Sequence, residues 1–84
     1  MMTAKRNEFA RRYHRRESAS RYLEERWGLR CRPKTLAKYA VNGGGPRMSY
    51  SGRWPLYSEG DLDEWATSRM TGPFSSTTER SNAR

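Results

Sequence analysis

Hydrophobic positions recur at the spacing of one helical face in three segments of the chain. In the first segment, ESASRYLEERWG, four of them follow an i, i+3, i+4, i+8 pattern: Ala19, Tyr22, Leu23 and Trp27. A hydroxyl side chain, Ser18 or Ser20, is expected to cap the start of this helix. Gly28 suits the left-handed residue with which many helices end.

A second helix is predicted for PKTLAKYAVN, because Pro33 is tolerated in a first helical turn. Its apolar face is formed by Leu36, Tyr39 and Ala40. The opposite face is basic and hydrogen-bonding, with Thr35 at its flank, and carries Lys34, Lys38 and Asn42. The short connection LRCR makes the two helices a helix-turn-helix candidate. A plain solvent-facing helix with two lysines has the same pattern, so the pattern alone leaves both interpretations open.

A β-hairpin is predicted after the second helix. Three glycines at 43–45 allow a sharp turn, and the runs Arg47–Tyr50 and Trp54–Tyr57 flank a connection that contains glycine, Ser51-Gly52-Arg53. Pro55 lacks a backbone donor, so its strand is expected to be an edge strand or irregular there.

A third helix is predicted for YSEGDLDEWATSRMTG. Ser58 can cap it, and Arg69 suits its C-terminal end. Four carboxylates near its start are interpreted as helix-stabilising rather than catalytic: Glu59, Asp61, Asp63 and Glu64. Its inward face is expected to hold Leu62, Trp65 and Ala66.

The order of these elements predicts a fold that is mainly α with a small β-hairpin wing, a winged helix-turn-helix of helix, helix, hairpin and helix. We assign this domain to residues 18–70. Residues 1–17 form a basic N-terminal arm, either a short helix or disordered, and the Ser/Thr-rich residues 71–84 form a flexible tail. In so small a domain the core must rely on a few large side chains, among them Trp27, Trp54 and Trp65.

Charge points to a phosphate-rich partner. The 84 residues include seventeen Lys and Arg against nine Asp and Glu, a net charge of +8. The arm holds six basic and two acidic residues, a net +4. This balance favours nucleic acid over a non-specific or membrane role.

Several other chemistries are not expected. The lone Cys31 excludes an internal disulfide framework and fits a packing residue in a reducing compartment, and no apolar run approaches the ~20 residues of a membrane span. The basic N-terminus lacks the apolar stretch of a secretory signal. The sequence offers no nucleophile–base set, metal cluster or phosphate loop, so we expect no enzyme, no cofactor, no metal and no small-molecule substrate.

A thin loop with an arginine at its tip has a physical rationale beside a recognition helix. The minor groove of DNA is narrow and negative, and Arg inserts into it well. Arg53 is therefore predicted to enter the minor groove while the second helix occupies the major groove. A solvent-facing turn residue is the alternative interpretation of Arg53.

The stretch GGGPRMSYSGRWPLYSEGDLDEW resembles the C-terminal half of the small excisionases, or recombination directionality factors, and of the AlpA-type phage regulators, which relate to the MerR DNA-binding domain. The shared features are the Gly-Gly-x-Pro turn ending at Pro46, Gly52-Arg53 at the wing tip, the aromatic Tyr57, and the Asp-Leu-Asp-x-Trp helix ending at Trp65. ASRYLEERWGLRCRPKTLAKYA matches the first two helices more loosely. Arg32 stands where the family often has a small hydroxyl residue.

The resemblance implies a sequence-specific binder of double-stranded DNA in the bacterial cytoplasm, associated with the nucleoid. Excisionases bind tandem sites at an attachment site, associate head to tail, bend the DNA and help a tyrosine integrase to excise a mobile element. AlpA-type relatives instead regulate transcription, and the DNA-binding surface is common to both. Two further alternatives are a basic adaptor that binds an integrase and an RNA-binding module, which a two-stranded hairpin suits poorly.

The candidate DNA contacts fall into three groups. The recognition-helix group comprises Arg32, Lys34, Thr35, Lys38 and Asn42. The wing group comprises Arg47, Ser51, Gly52 and Arg53. Phosphate contacts from the inter-helix connection and the arm are expected from Arg30, Arg11, Arg12, Arg15 and Arg16.

Overall fold

The computed structural model describes residues 12–82 and confirms the predicted fold class. The chain is mainly helical with a β-hairpin, in an order compatible with a winged helix-turn-helix. Its elements are β1 (Tyr13–His14), α1 (Arg16–Trp27), α2 (Pro33–Asn42), β2 (Ser49–Ser51), β3 (Trp54–Ser58), α3 (Glu59–Ser68) and α4 (Thr77–Asn82).

A third strand joins the predicted hairpin. The sheet is antiparallel in the order β1-β3-β2, and Tyr13 and His14 pair with Ser58 and Tyr57, respectively. The backbone N–H of Glu59 also donates to the carbonyl of Arg12, at 2.9 Å. The ordered domain therefore begins before residue 18 and includes part of the segment assigned to the arm. A strand of two residues is too short to leave a period-2 pattern in the sequence.

The hairpin loop is one residue shorter than the predicted connection. Ser51 pairs with Trp54, which leaves Gly52 and Arg53 as a two-residue loop. Gly52 has a φ of 64°, and a glycine of positive φ at the first loop position is typical of tight hairpin turns. Pro55 lies opposite Tyr50.

Although β3 is the central strand of the sheet, Pro55 has a neighbouring strand on one side only, as expected for an edge position. Hydrogen-bonded and non-hydrogen-bonded pairs alternate along an antiparallel ladder. With Ser51–Trp54 as the closing pair, Pro55 takes a non-hydrogen-bonded position toward β2. Its missing donor faces the side of β1, which pairs only with residues 57 and 58.

The core lies between the three longer helices and the inner face of the sheet. Its buried hydrophobic members are Ala19, Leu23, Cys31, Leu36, Tyr57, Leu62, Trp65 and Ala66. Trp27 packs against this cluster, but Trp54 is 50% exposed, so its predicted core role is wrong. Trp54 follows the wing tip directly and lies on the outward face of β3. Burial raises the pKa of the Cys31 thiol, consistent with a packing residue.

Asp63 joins α1 to α3. Its Oδ1 accepts hydrogen bonds from Tyr22 Oη at 2.8 Å and from Trp27 Nε1 at 2.7 Å. Arg26 Nε lies 3.3 Å from the same oxygen. Burial, together with the hydrogen bond and negative charge of Asp63, raises the pKa of Tyr22 to about 12. One acid that the sequence pattern assigned to the helix dipole therefore also bridges two helices.

The helix ends follow the sequence predictions in part. Gly28 ends α1 with a φ of 70°, and Ser58 Oγ accepts from the N–H of Asp61 at 3.0 Å, as predicted. The predicted serine cap of α1 is wrong, because α1 begins at Arg16 and its N-cap residue, Arg15, makes no side-chain cap bond. Ser18 instead hydrogen-bonds His14 Nδ1 at 2.6 Å.

Candidate nucleic-acid interface

Helix α2 has one face in the core and one face in solvent. Leu36 is 1% exposed, and the ring of Tyr39 meets that of Trp65 edge-on, with centroids 5.8 Å apart. The opposite face exposes Lys34, Lys38, Val41 and Asn42, while Thr35 at its flank is half-buried. No acidic residue occurs between Pro33 and Asn42, although the chain has nine. We call the set Lys34, Lys38 and Val41, with Asn42, the α2 outer face.

The start of α2 is suited to an anion. Its N-cap residue, Arg32, has extended backbone and makes no side-chain cap bond, and its first turn contains no acid. The free N–H groups of a first turn and the helix dipole favour negative charge. Arg30, Arg32 and Lys34 around this end are all exposed. The helix therefore presents backbone donors and cations together, an arrangement that fits a phosphate.

The glycine turn fixes α2 relative to the hairpin. Gly43 and Gly44 have φ values of 91° and 95°, which side chains rarely tolerate. The carbonyl of Gly44 accepts a hydrogen bond from Trp65 Nε1 at 2.9 Å. A Cβ on Gly45 would lie only 2.6 Å from Cβ of Tyr39. The turn is therefore packed tightly on α2 and α3, and it holds the hairpin at a set position after the helix.

The wing carries exposed basic and polar side chains. Ser51, Gly52 and Arg53 are exposed at its tip, and Arg47 is exposed just before β2. Within residues 12–82, the Arg26–Asp63 ion pair and the contact between His14 and Glu59 both lie outside α2 and the wing. The cations of α2 and of the wing therefore remain open to an external anion.

The candidate residues of the arm have different environments. Arg11 lies outside the described residues, and Arg12 is exposed. The Arg15 guanidinium stacks on the Trp54 ring, 3.9 Å from its centroid. Arg16 is half-buried, and its Nε donates to the Tyr57 hydroxyl at 3.2 Å. Arg15 and Arg16 thus make contacts within the fold that the sequence pattern did not indicate.

The outward face of the sheet also exposes aromatic side chains. Tyr13 and Trp54 are about half exposed. Exposed aromatics on a sheet are typical of proteins that stack unpaired bases. Here the Arg15 guanidinium already covers one face of the Trp54 ring. This contact makes the sheet a weaker candidate for base stacking than α2 and the wing are for duplex DNA.

Residues outside this surface show no metal-binding arrangement in the described part of the chain. No group of three or more His, Cys, Asp or Glu there could hold a metal ion. His14 is engaged on both ring nitrogens, since Nδ1 contacts Ser18 and Nε2 lies 2.9 Å from Glu59 Oε2. Likewise, none of the helices between residues 12 and 82 has the length and apolar character needed to cross a membrane.

Val41 is the main residue of this surface that the sequence reasoning missed. It is 85% exposed, although valine is usually buried. At 100° per residue it falls 20° from Lys34 and 60° from Lys38 on the helical circle, at the edge of the basic face. This angular position can be worked out from the sequence, but an apolar residue such as Val41 is ordinarily assigned to the core.

In comparisons with known proteins, no family model matches the chain, and no curated protein matches it.

Proposed function

We propose that the chain is a sequence-specific DNA-binding excisionase, a recombination directionality factor that helps a tyrosine integrase to excise a mobile element. In this proposal α2 enters the major groove and the wing tip enters the adjacent minor groove. The observation that carries it is the acid-free, exposed basic face of α2, followed by a tightly packed turn and a hairpin that presents Arg53.

Charge and geometry support the DNA-binding part of the proposal. The net charge of +8 attracts a phosphate backbone, and the uncapped start of α2 offers backbone donors beside Arg30 and Arg32. A helix fits the major groove, and a two-residue loop is thin enough for the minor groove. Lys34, Thr35 and Lys38 then read bases or contact phosphates, while Arg53 inserts into the narrow groove.

The recombination part rests on the sequence resemblance described above. It implies several adjacent sites, head-to-tail association along them, bending of the DNA and contact with an integrase. A transcription regulator of the AlpA or MerR type has the same surface and is the principal alternative. A basic adaptor for an integrase is the second, and it requires little sequence preference on DNA.

A gel-shift titration separates these functions. The probe is attachment-site DNA from the element that carries the coding sequence, beside a length-matched random duplex, both at one near-physiological salt concentration. An excisionase gives stepwise, cooperative complexes on the attachment site alone. A regulator that binds as a dimer gives a single complex, at one palindrome of fixed half-site spacing. Equal, weak and salt-sensitive binding to both duplexes contradicts the excisionase and leaves an adaptor.

A pair of variants locates the interface in the same assay. Arg53→Ala removes the wing-tip cation and is expected to weaken attachment-site binding, with a cost of about 1–3 kcal/mol if Arg53 reads bases. Arg80→Ala, in α4, removes the same charge from an exposed residue outside α2 and the wing. Equal losses for the two variants would indicate that only net charge matters.

A further inference from the structure

We propose that Val41 is a specificity-determining residue that contacts the C5 methyl group of a thymine in the major groove. This inference rests on the proposed function, because it assigns a role to one residue of the α2 outer face. It begins from the exposure of Val41, which is 85% and the highest among the exposed large hydrophobic residues of the described chain.

The position of Val41 is what distinguishes it from an ordinary exposed apolar residue, which needs no explanation by itself. Lys34 precedes it by seven residues and Lys38 by three, so the three side chains follow one line along the helix. The buried side of α2 is occupied by Leu36, on the other side of the helix axis. Whatever the two lysines face, Val41 faces too.

The chemistry of the major groove gives this apolar position a partner. Thymine is the base that presents a methyl group there, and apolar side chains recognise it by contact. The two preceding lysines can reach guanine or phosphate, but they cannot distinguish thymine by its methyl. A branched apolar residue among cations therefore adds a type of readout that the basic residues lack.

The substitution Val41→Ala isolates this contact without harming the fold. Val41 has almost no buried surface to lose, and alanine is the better helix former. Met70→Ala, just beyond α3, is a matched control because Met70 is also exposed and apolar. Thermal unfolding of both variants should follow the wild-type curve closely.

The test measures the wild-type and variant proteins on both the original duplex and a modified duplex. Wild-type protein first selects its preferred duplex from a randomised library, and each thymine of that duplex is then replaced by deoxyuridine, which lacks only the methyl. At one thymine we expect the replacement to weaken wild-type binding about three- to fivefold, the effect of one methyl group leaving an apolar contact. The same replacement should change the binding of Val41→Ala by less than about twofold, while Met70→Ala behaves as wild type.

Two results overturn the inference, and they are distinguishable. If a preferred duplex is selected but every deoxyuridine replacement affects wild type and Val41→Ala equally, Val41 reads no methyl group and the proposed DNA-binding function stands. If the library yields no preferred duplex, sequence-specific binding itself fails, and the role of Val41 fails with it.

Discussion

Helices α2 and α3 are both ten residues long, yet they present opposite chemistry to solvent. The first turn of α3 contains Glu59 and Asp61 and is capped by Ser58. The first turn of α2 contains no acid, and Arg32 at its start makes no cap bond. One helix thus satisfies its own N-terminus, while the other leaves its N-terminus open beside cations.

The start of α3 has features that stabilise a helix, whereas the start of α2 has features that suit the binding of an anion. Carboxylates and a hydroxyl cap stabilise the start of a helix, and α3 has both. Helix α2 forgoes these contributions and relies on Leu36 and Tyr39, which anchor it in the core and against Trp65. An open, basic helix start is a cost to the isolated protein that a bound phosphate would offset.

The largest expected effect distinguishes the two faces of α2. Leu36→Ala should lower the free energy of unfolding by about 2–5 kcal/mol, because it empties a fully buried site. Lys38→Ala, on the exposed face, should change it by less than about 0.5 kcal/mol. Urea unfolding followed by circular dichroism measures both. A large loss of stability for Lys38→Ala would show that the α2 outer face supports the fold.

The next effect concerns the turn between α2 and the wing. Gly45→Ala places a Cβ 2.6 Å from that of Tyr39, so we expect a loss of about 1–3 kcal/mol. Gly60→Ala, inside α3, is the control: the new Cβ would meet nothing closer than 4.0 Å, and the protein should gain about 0.5–1 kcal/mol. Chemical denaturation of the two variants should therefore give opposite signs. Equal signs would contradict the tight packing of the turn.

A smaller pair of effects concerns the helix starts themselves. Ser58→Ala removes a cap and should cost about 1 kcal/mol. Arg32→Ser supplies a cap to α2 and should stabilise the fold by up to about 1 kcal/mol while weakening DNA binding. The comparison requires thermal unfolding and a DNA titration on the same samples. If Arg32→Ser strengthened both stability and DNA binding, the open start of α2 would have no function.

A pH dependence is expected where Tyr22 of α1 donates to Asp63 of α3. The folded pKa of Tyr22, about 12, lies above its ordinary value of 10.0, so the folded state holds the proton more tightly. Its contribution to stability is complete below pH 10 and is lost as the pH rises through 12. Tyr22→Phe should flatten the fall in unfolding free energy over that range. Identical pH profiles for both proteins would contradict the Tyr22–Asp63 bond.

The sequence allowed α1, α2, α3 and the hairpin to be predicted because their signals are local, whereas α4 was not predicted and lies in the segment assigned to a flexible tail. Apolar spacing placed α1, α2 and α3, while Pro33, Gly28 and Ser58 marked helix ends. Strand β1 could not be predicted, because two residues have no period and their partners in β3 lie 45 and 43 positions away. The Arg15–Trp54 stack and the bridging role of Asp63 depend on the same kind of long-range contact.

The candidate site was predictable to a similar degree. The polar members of the α2 outer face and the wing-tip Arg53 follow from helical spacing and turn chemistry. Val41 was not predicted, since an apolar side chain is assigned to the core unless its angle on the helix is considered. The hydrogen bond from Arg16 to the Tyr57 hydroxyl could not be predicted either, because no sequence signal joins β3 to the start of α1.

The most direct test of the account is a backbone amide chemical-shift titration of the ¹⁵N-labelled protein with its selected duplex. It reports on α2, the wing and α3 in one experiment. We expect the largest changes between residues 32 and 42 and at the wing tip, residues 51–54, while the signals of α3 stay close to their positions in the free protein. Changes concentrated in α3, with α2 and the wing unaffected, would contradict it.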